Sequence, residues 1–202
     1  MPLRNKKLSV ELKLYINMNM ALMEKLSLKN RILFTSVIIL FVWLNLIWDY
    51  FHSGVPTHHI LKREDLPGLS NWWGGIAIPT ITWFLLFRIA KRINHNETPL
   101  TNKLNQVIYG FLGALIFGII LSFFFTIGSI IPEYMMIGVI VLSFFIPLYK
   151  AEFLLGFIIG MVYTFGGILP IGIGSLLTLL FLVSYKLVRF SILYLVSKTG
   201  FK

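Results

Sequence analysis

Asp49, His52, His58 and His59 fall within eleven consecutive positions, and with them three of the chain's four histidines. One carboxylate and two or three imidazoles form the donor set that a divalent ion needs when no thiolate is offered. The chain has no Cys, which excludes disulfides, thiolate nucleophiles and Cys-ligated zinc or iron–sulfur centres. A metal here, zinc or iron, is therefore expected on Asp49, His52, His58 and His59. Asp49 and His52 are three apart, so a helix that reaches His52 puts both on one face. Gly54-Val55-Pro56 is turn-prone and can fold the following residues back over that helix end. Adjacent His58 and His59 point apart in an extended segment, so one of them is expected to join. The same residues have two other uses. They can bind or sense a ligand directly, since His titrates near neutral pH, or they can sit in a hydrated loop beside headgroups.

Asn71-Trp72-Trp73 follows at the far end of this stretch. Tryptophans at such a border sit among headgroups, or they form a stacking wall for a ligand. Glu133, beside Pro132, is expected at the same membrane level as Asp49, where it either completes the site or complements the positive end of a helix. The candidate ligand-binding set is thus Asp49, His52, His58, His59, Asn71, Trp72, Trp73 and Glu133.

The elements that hold these residues are dictated by composition. Of 202 residues, 57% are hydrophobic and 13% charged, and the mean hydropathy is +0.82. A soluble domain carries charge on roughly a quarter of its residues, so this is an integral membrane chain whose first partner is the lipid bilayer. Apolar runs near the roughly 20 residues that cross a bilayer core predict about six transmembrane helices, over residues 32–50, 72–90, 104–127, 131–149, 153–169 and 171–190. The first run is too long for a removable signal peptide and lacks a small-residue cleavage site. Pro79 lies inside the second and should kink it. Gly166, Gly167, Pro170, Gly172 and Gly174 mark the border of the last two, where a re-entrant segment is the alternative to a turn, and Lys186 falls within the sixth run.

Lys and Arg orient the bundle. With six spans and the N-terminus inside, every one of the 18 basic residues except Lys62 and Arg63 lies on the cytoplasmic side, as the positive-inside rule requires. The expected architecture is an all-α bundle with both termini in the cytoplasm. It comprises a basic segment 1–31, a transmembrane domain 32–196 with an extracytoplasmic loop 51–71, and a tail 197–202. The bacterial-type inner membrane is the expected location. The loop is expected to be structured, since it is dense in turn-formers and apolar anchors. Residues 8–20 alternate with the period of a strand, and a strand alone in a helical bundle has nothing to pair with, so residues before Met23 are expected to contribute little.

Several chemistries find no support. The net charge of +10 is accounted for by headgroups without nucleic acid. There is no glycine-rich phosphate loop, no Gly-x-Ser-x-Gly elbow and no His-Glu-x-x-His helix. Apart from Lys186, no ionisable residue is placed near the bilayer centre, where ion-driven carriers keep theirs. What remains is a small-molecule-binding or transport component that borrows energy from partner subunits, or an assembly subunit. The alternative is a membrane-surface hydrolase whose metal-bound water attacks a lipid or headgroup. Gly156 and Gly160, and Gly110, Gly113 and Gly118, predict close helix packing, within the chain, with a partner subunit or with a second copy.

Overall fold

The computed structural model describes residues 27–52, 54–55, 57–59, 68–94 and 100–199. The alternating segment 8–20, the basic pair Lys62 and Arg63 and the side chains of His58 and His59 lie outside the described residues. Among the described residues six α-helices follow one another: α1 (Leu28–His52), α2 (Gly74–Asn94), α3 (Leu100–Thr126), α4 (Ile131–Leu142), α5 (Ala151–Phe165) and α6 (Ile168–Thr199). Between α1 and α2, β1 (Thr57–His59) pairs antiparallel with β2 (Gly68–Ser70), Thr57 opposite Ser70 and His59 opposite Gly68. A single 3₁₀ turn (Asn71–Trp73) joins β2 to α2.

Among the described residues four helices are long and apolar enough to cross a membrane: Leu28–His52, Asn71–Asn94, Asn102–Thr126 and Ile168–Ser191. Each has 24 or 25 residues, about 36 Å at the helical rise, against a hydrocarbon core of about 30 Å. Helices α4 and α5 have 12 and 15 residues, about 18 and 23 Å. The single runs read at 131–149 and 153–169 are thus only partly helix. Helix α4 stops at Leu142, where buried Ser143 donates to the Ile140 carbonyl at 2.6 Å, and Pro147 keeps the helix from resuming before Lys150.

The core is built around α5, whose Leu154 through Ile158 are all buried. Its closest partner is α3. Gly156 lies against Phe111 and Leu115, Gly160 against Leu115 and Ile119, and Gly118 against Phe157 and Gly160. Phe165 meets Phe125 edge-on at 4.8 Å. The partners advance together along both helices, so α3 and α5 run parallel. A parallel pair requires the connecting segment to return, which residues 131–150 do: Met135 and Met136 pack near Leu121 and Phe165, while Ile146 and Leu148 lie near Gly110.

The other neighbours are antiparallel. Gly74 of α2 touches Gly167 and Arg92 reaches Glu152, so α2 opposes α5. Gly75 meets Trp43 and Leu46 of α1, and Arg31 lies 5.1 Å from the Trp83 ring. Gly174 of α6 meets Leu154 and Phe157, and Tyr185 meets Tyr149 at 5.6 Å. Six successive segments thus alternate in direction. One end of the bundle gathers Arg31, Arg88, Lys91, Arg92, Lys150, Lys186 and Arg189; the other carries Asp49, His52, the 3₁₀ turn and Glu133. Lys186 follows Tyr185, level with Tyr149, and so belongs to the basic end rather than the middle of a span.

Local chemistry explains the joints. Ser27 accepts from the Asn30 amide at the start of α1, an N-cap. Helix α2 runs through Pro79 unbroken, and Thr80 Oγ1 donates to the Ile76 carbonyl at 2.8 Å in the same turn. The border between the last two helices is a tight turn at Gly166-Gly167, not a break at Leu169 to Ile171. Gly166 has φ 69°, a value that suits glycine, and Pro170 sits in the first turn of α6, where its missing N–H costs nothing.

Candidate functional site

Lys150 and Glu152 are set by the start of α5. Lys150 is the extended residue before the helix and Glu152 is in its first turn, where a carboxylate suits the positive end of the helix dipole. Only 2% of Glu152 is exposed. Gly110 of α3 makes room for it: a methyl group on Gly110 would fall 3.0 Å from Glu152 Cγ. Arg92, in the last turns of α2, donates from Nη2 to Glu152 Oε2 at 2.8 Å. A buried carboxylate is tolerable only when paired and hydrogen-bonded, and Arg92 supplies both.

Glu152 and Lys150 also line a cavity of about 570 Å³, within the roughly 300–1,000 Å³ of small-ligand sites. Its walls come from α3 (Gly113, Phe117), the return segment (Ile146), α5 (Phe157) and α6 (Leu177, Phe181). The physical origin is visible in the packing. Helix α4 rests on α3 and stands off α6, and small residues on α3 and α6 leave the gap unfilled. Nothing lies within 4 Å of where a Gly113 Cβ would be. Tyr109, Leu142 and Ile146 on the rim are exposed, so the cavity reaches the outer face of the bundle. It is a greasy slot with a charged end, suited to holding an apolar tail and a polar head.

The residues singled out by sequence are distributed differently. Asp49 and His52 share the end of α1, but the His52 ring stacks on Trp48 with centroids 3.8 Å apart, its Nδ1 lying 3.0 Å from the Trp48 carbonyl oxygen. Among the described residues no three of His, Asp and Glu come together as a metal-ligating group. His58 and His59 lie in β1, paired through the backbone with Leu69 and Gly68. Glu133 is exposed in the first turn of α4, and α4 packs on α3 while Asp49 rides on α1 against α2. Glu133 therefore shares the level of Asp49 but not its side of the bundle. Asn71 is a structural tie: its Oδ1 accepts from the Gly167 amide at 3.1 Å and fills the space beside Gly166. Trp72 is exposed and joins Trp43 and Tyr50, at 6.3 and 6.2 Å, in an aromatic cluster, and Trp73 is more exposed still.

No protein-family model, curated protein or solved structure matches the chain.

Sequence reasoning passed over Arg92, Lys150 and Glu152, the residues at the charged end of the cavity. One signal was present: Glu152 directly opens an apolar run, one of only eight acids in the chain. The cavity itself carries no motif, because its lining comes from four segments far apart in sequence, with the small residues on α3 (Gly110, Gly113, Ala114) and α6 (Gly174) and bulkier ones on the other two.

Proposed function

We propose that this chain is a cell-membrane protein that crosses the bilayer six times and binds an amphiphilic small molecule in the cavity between α3 and α6. It acts as a binding or transport component. The observation that carries this reading is the 570 Å³ apolar cavity with Lys150 and the Arg92–Glu152 pair at its end. Helices that merely fill a bilayer close such gaps, because interiors pack to near-crystal density. Here glycines hold one open. The gathering of Lys and Arg at one end supports the orientation with that end in the cytoplasm and the β1–β2 loop outside. On this reading the loop, Trp72 and Trp73 are an interfacial cap. The ligand enters sideways from the lipid past Tyr109 and Ile146.

The test is retention of ligand. The full chain purified in mild detergent is extracted with organic solvent and the extract is compared by mass spectrometry with that of Gly113→Leu, a change that fills the cavity without meeting any atom within 4 Å of the new Cβ. A discrete amphiphile enriched with wild type and lost from Gly113→Leu is the expected result. Identical bulk lipid in both would overturn the reading in favour of an assembly subunit.

A further inference from the structure

We infer that the ligand's head is a phosphate, held by Lys150, on a long-chain amphiphile taken from the cytoplasmic leaflet. This rests on the cavity reading above and names the class of molecule that fits it. Among the described residues the charged ones that line the cavity are Lys150 and Glu152. Glu152 is neutralised by Arg92 at 2.8 Å, so it offers no net charge to a ligand. Lys150 has no carboxylate within ion-pair distance among the described residues, and it is half-buried. An ammonium partly withdrawn from water, facing an apolar slot, is compensated by an anion on whatever fills that slot.

The surroundings point the same way. Lys186, Arg189, Lys91 and Arg92 lie at the same end, so the local potential favours a negative head and disfavours a cationic one. Lys is a compact point charge that binds phosphate without needing a fork-shaped partner. The remaining polar lining, Gln106, Tyr109 and Thr178, offers hydroxyl and amide donors to phosphate oxygens. The tail supplies apolar burial along Gly113, Phe117, Phe157 and Phe181.

The experiment uses the full chain in detergent with three probes: lysophosphatidic acid, the monoacylglycerol with the same acyl chain, and inorganic phosphate. Binding is read by native mass spectrometry across a concentration series. Lysophosphatidic acid should bind about tenfold more tightly than the monoacylglycerol, the scale of one charge-assisted contact. Lys150→Gln should remove that advantage and leave the monoacylglycerol unaffected. Lys150→Arg should keep it, which separates loss of charge from loss of fold. Gly113→Leu should weaken both lipids together. Equal binding of the two lipids to wild type would overturn the phosphate assignment while leaving the cavity reading intact. If neither lipid binds, the cavity reading itself falls. Binding of inorganic phosphate alone, as tight as the lipid and with the same dependence on Lys150, would overturn the lipid assignment in favour of the free ion.

Discussion

Glu152 shows how a single carboxylate can be tolerated in an apolar bundle. It is almost wholly buried, yet Arg92 reaches it from a helix sixty positions earlier in the chain. Losing the arginine strands a buried charge, whereas losing both members leaves only apolar surface. Arg92→Met is therefore expected to lower stability by about 3 kcal/mol, the lower end of the range for a broken buried pair, because Arg92 itself is one-third exposed. The double variant Arg92→Met with Glu152→Leu should recover most of that loss. Thermal unfolding in detergent, followed by fluorescence, checks both. The outer residues should respond weakly: Asn71→Ala forfeits one hydrogen bond to Gly167, worth about 1 kcal/mol, and His52→Ala loses an exposed stacking contact on Trp48 and an exposed local contact with the Trp48 carbonyl.

Among the elements, the α3–α5 crossing is the least forgiving. A side chain on Gly156 would collide with the Phe111 carbonyl, and one on Gly160 would lie 2.5 Å from the Leu115 carbonyl oxygen. Backbone cannot step aside as a flexible side chain can. Gly156→Ala or Gly160→Ala is expected to cost about 1–3 kcal/mol through overpacking, while Gly113→Ala and Gly138→Ala, with nothing within 4 Å of the new methyl, should be near neutral. Melting temperatures of the four variants test the contrast, and equal losses at all four sites would refute the crossing.

How much of this could be read beforehand differs by element. The first three spans were legible because each is one long apolar helix with charge or Pro and Gly at its borders. The interruption of the fourth run at Leu142 was not, because hydropathy stays high through Phe144, Phe145 and Ile146 while the backbone turns. The border between α5 and α6 was placed too late because Pro170 reads as a breaker, although Pro is welcome in a first helical turn. The polar cluster at Asp49 was visible as composition, but composition carries no direction. His52 turns back onto its own helix, and that depends on Trp48 four positions earlier. Gly156 and Gly160 were recognisable as a packing motif. That their partner would be the parallel helix two segments back was not, because such stripes do not encode whom they meet.

For the molecule as a whole, the alternation of six segments makes a direct expectation about sidedness. The chain has no Cys, so single cysteines placed at Glu133 and Arg189 report without background. A membrane-impermeant maleimide applied to intact cells should label the first and spare the second. The reverse pattern would invert the bundle and put the charged end of the cavity outside.

The parallel pairing of α3 with α5 also constrains how the chain comes to be made. Helix α3 leaves the ribosome with its glycine stripe complete but its partner not yet synthesised, so that stripe must wait in lipid or against the insertion machinery. The next segment does not cover it: α4 is short, and the residues that meet the stripe, Glu152, Phe157 and Gly160, are on α5. Helix α5 meets both α2 and α3 in the finished bundle, and Asn71 closes on Gly167 at the turn into α6. The α3–α5 crossing is therefore a late contact, made only once α5 exists. A nascent chain halted before α5 emerges carries the α3 stripe without the helix that covers it, so the centre of the core closes only after α5 has been made.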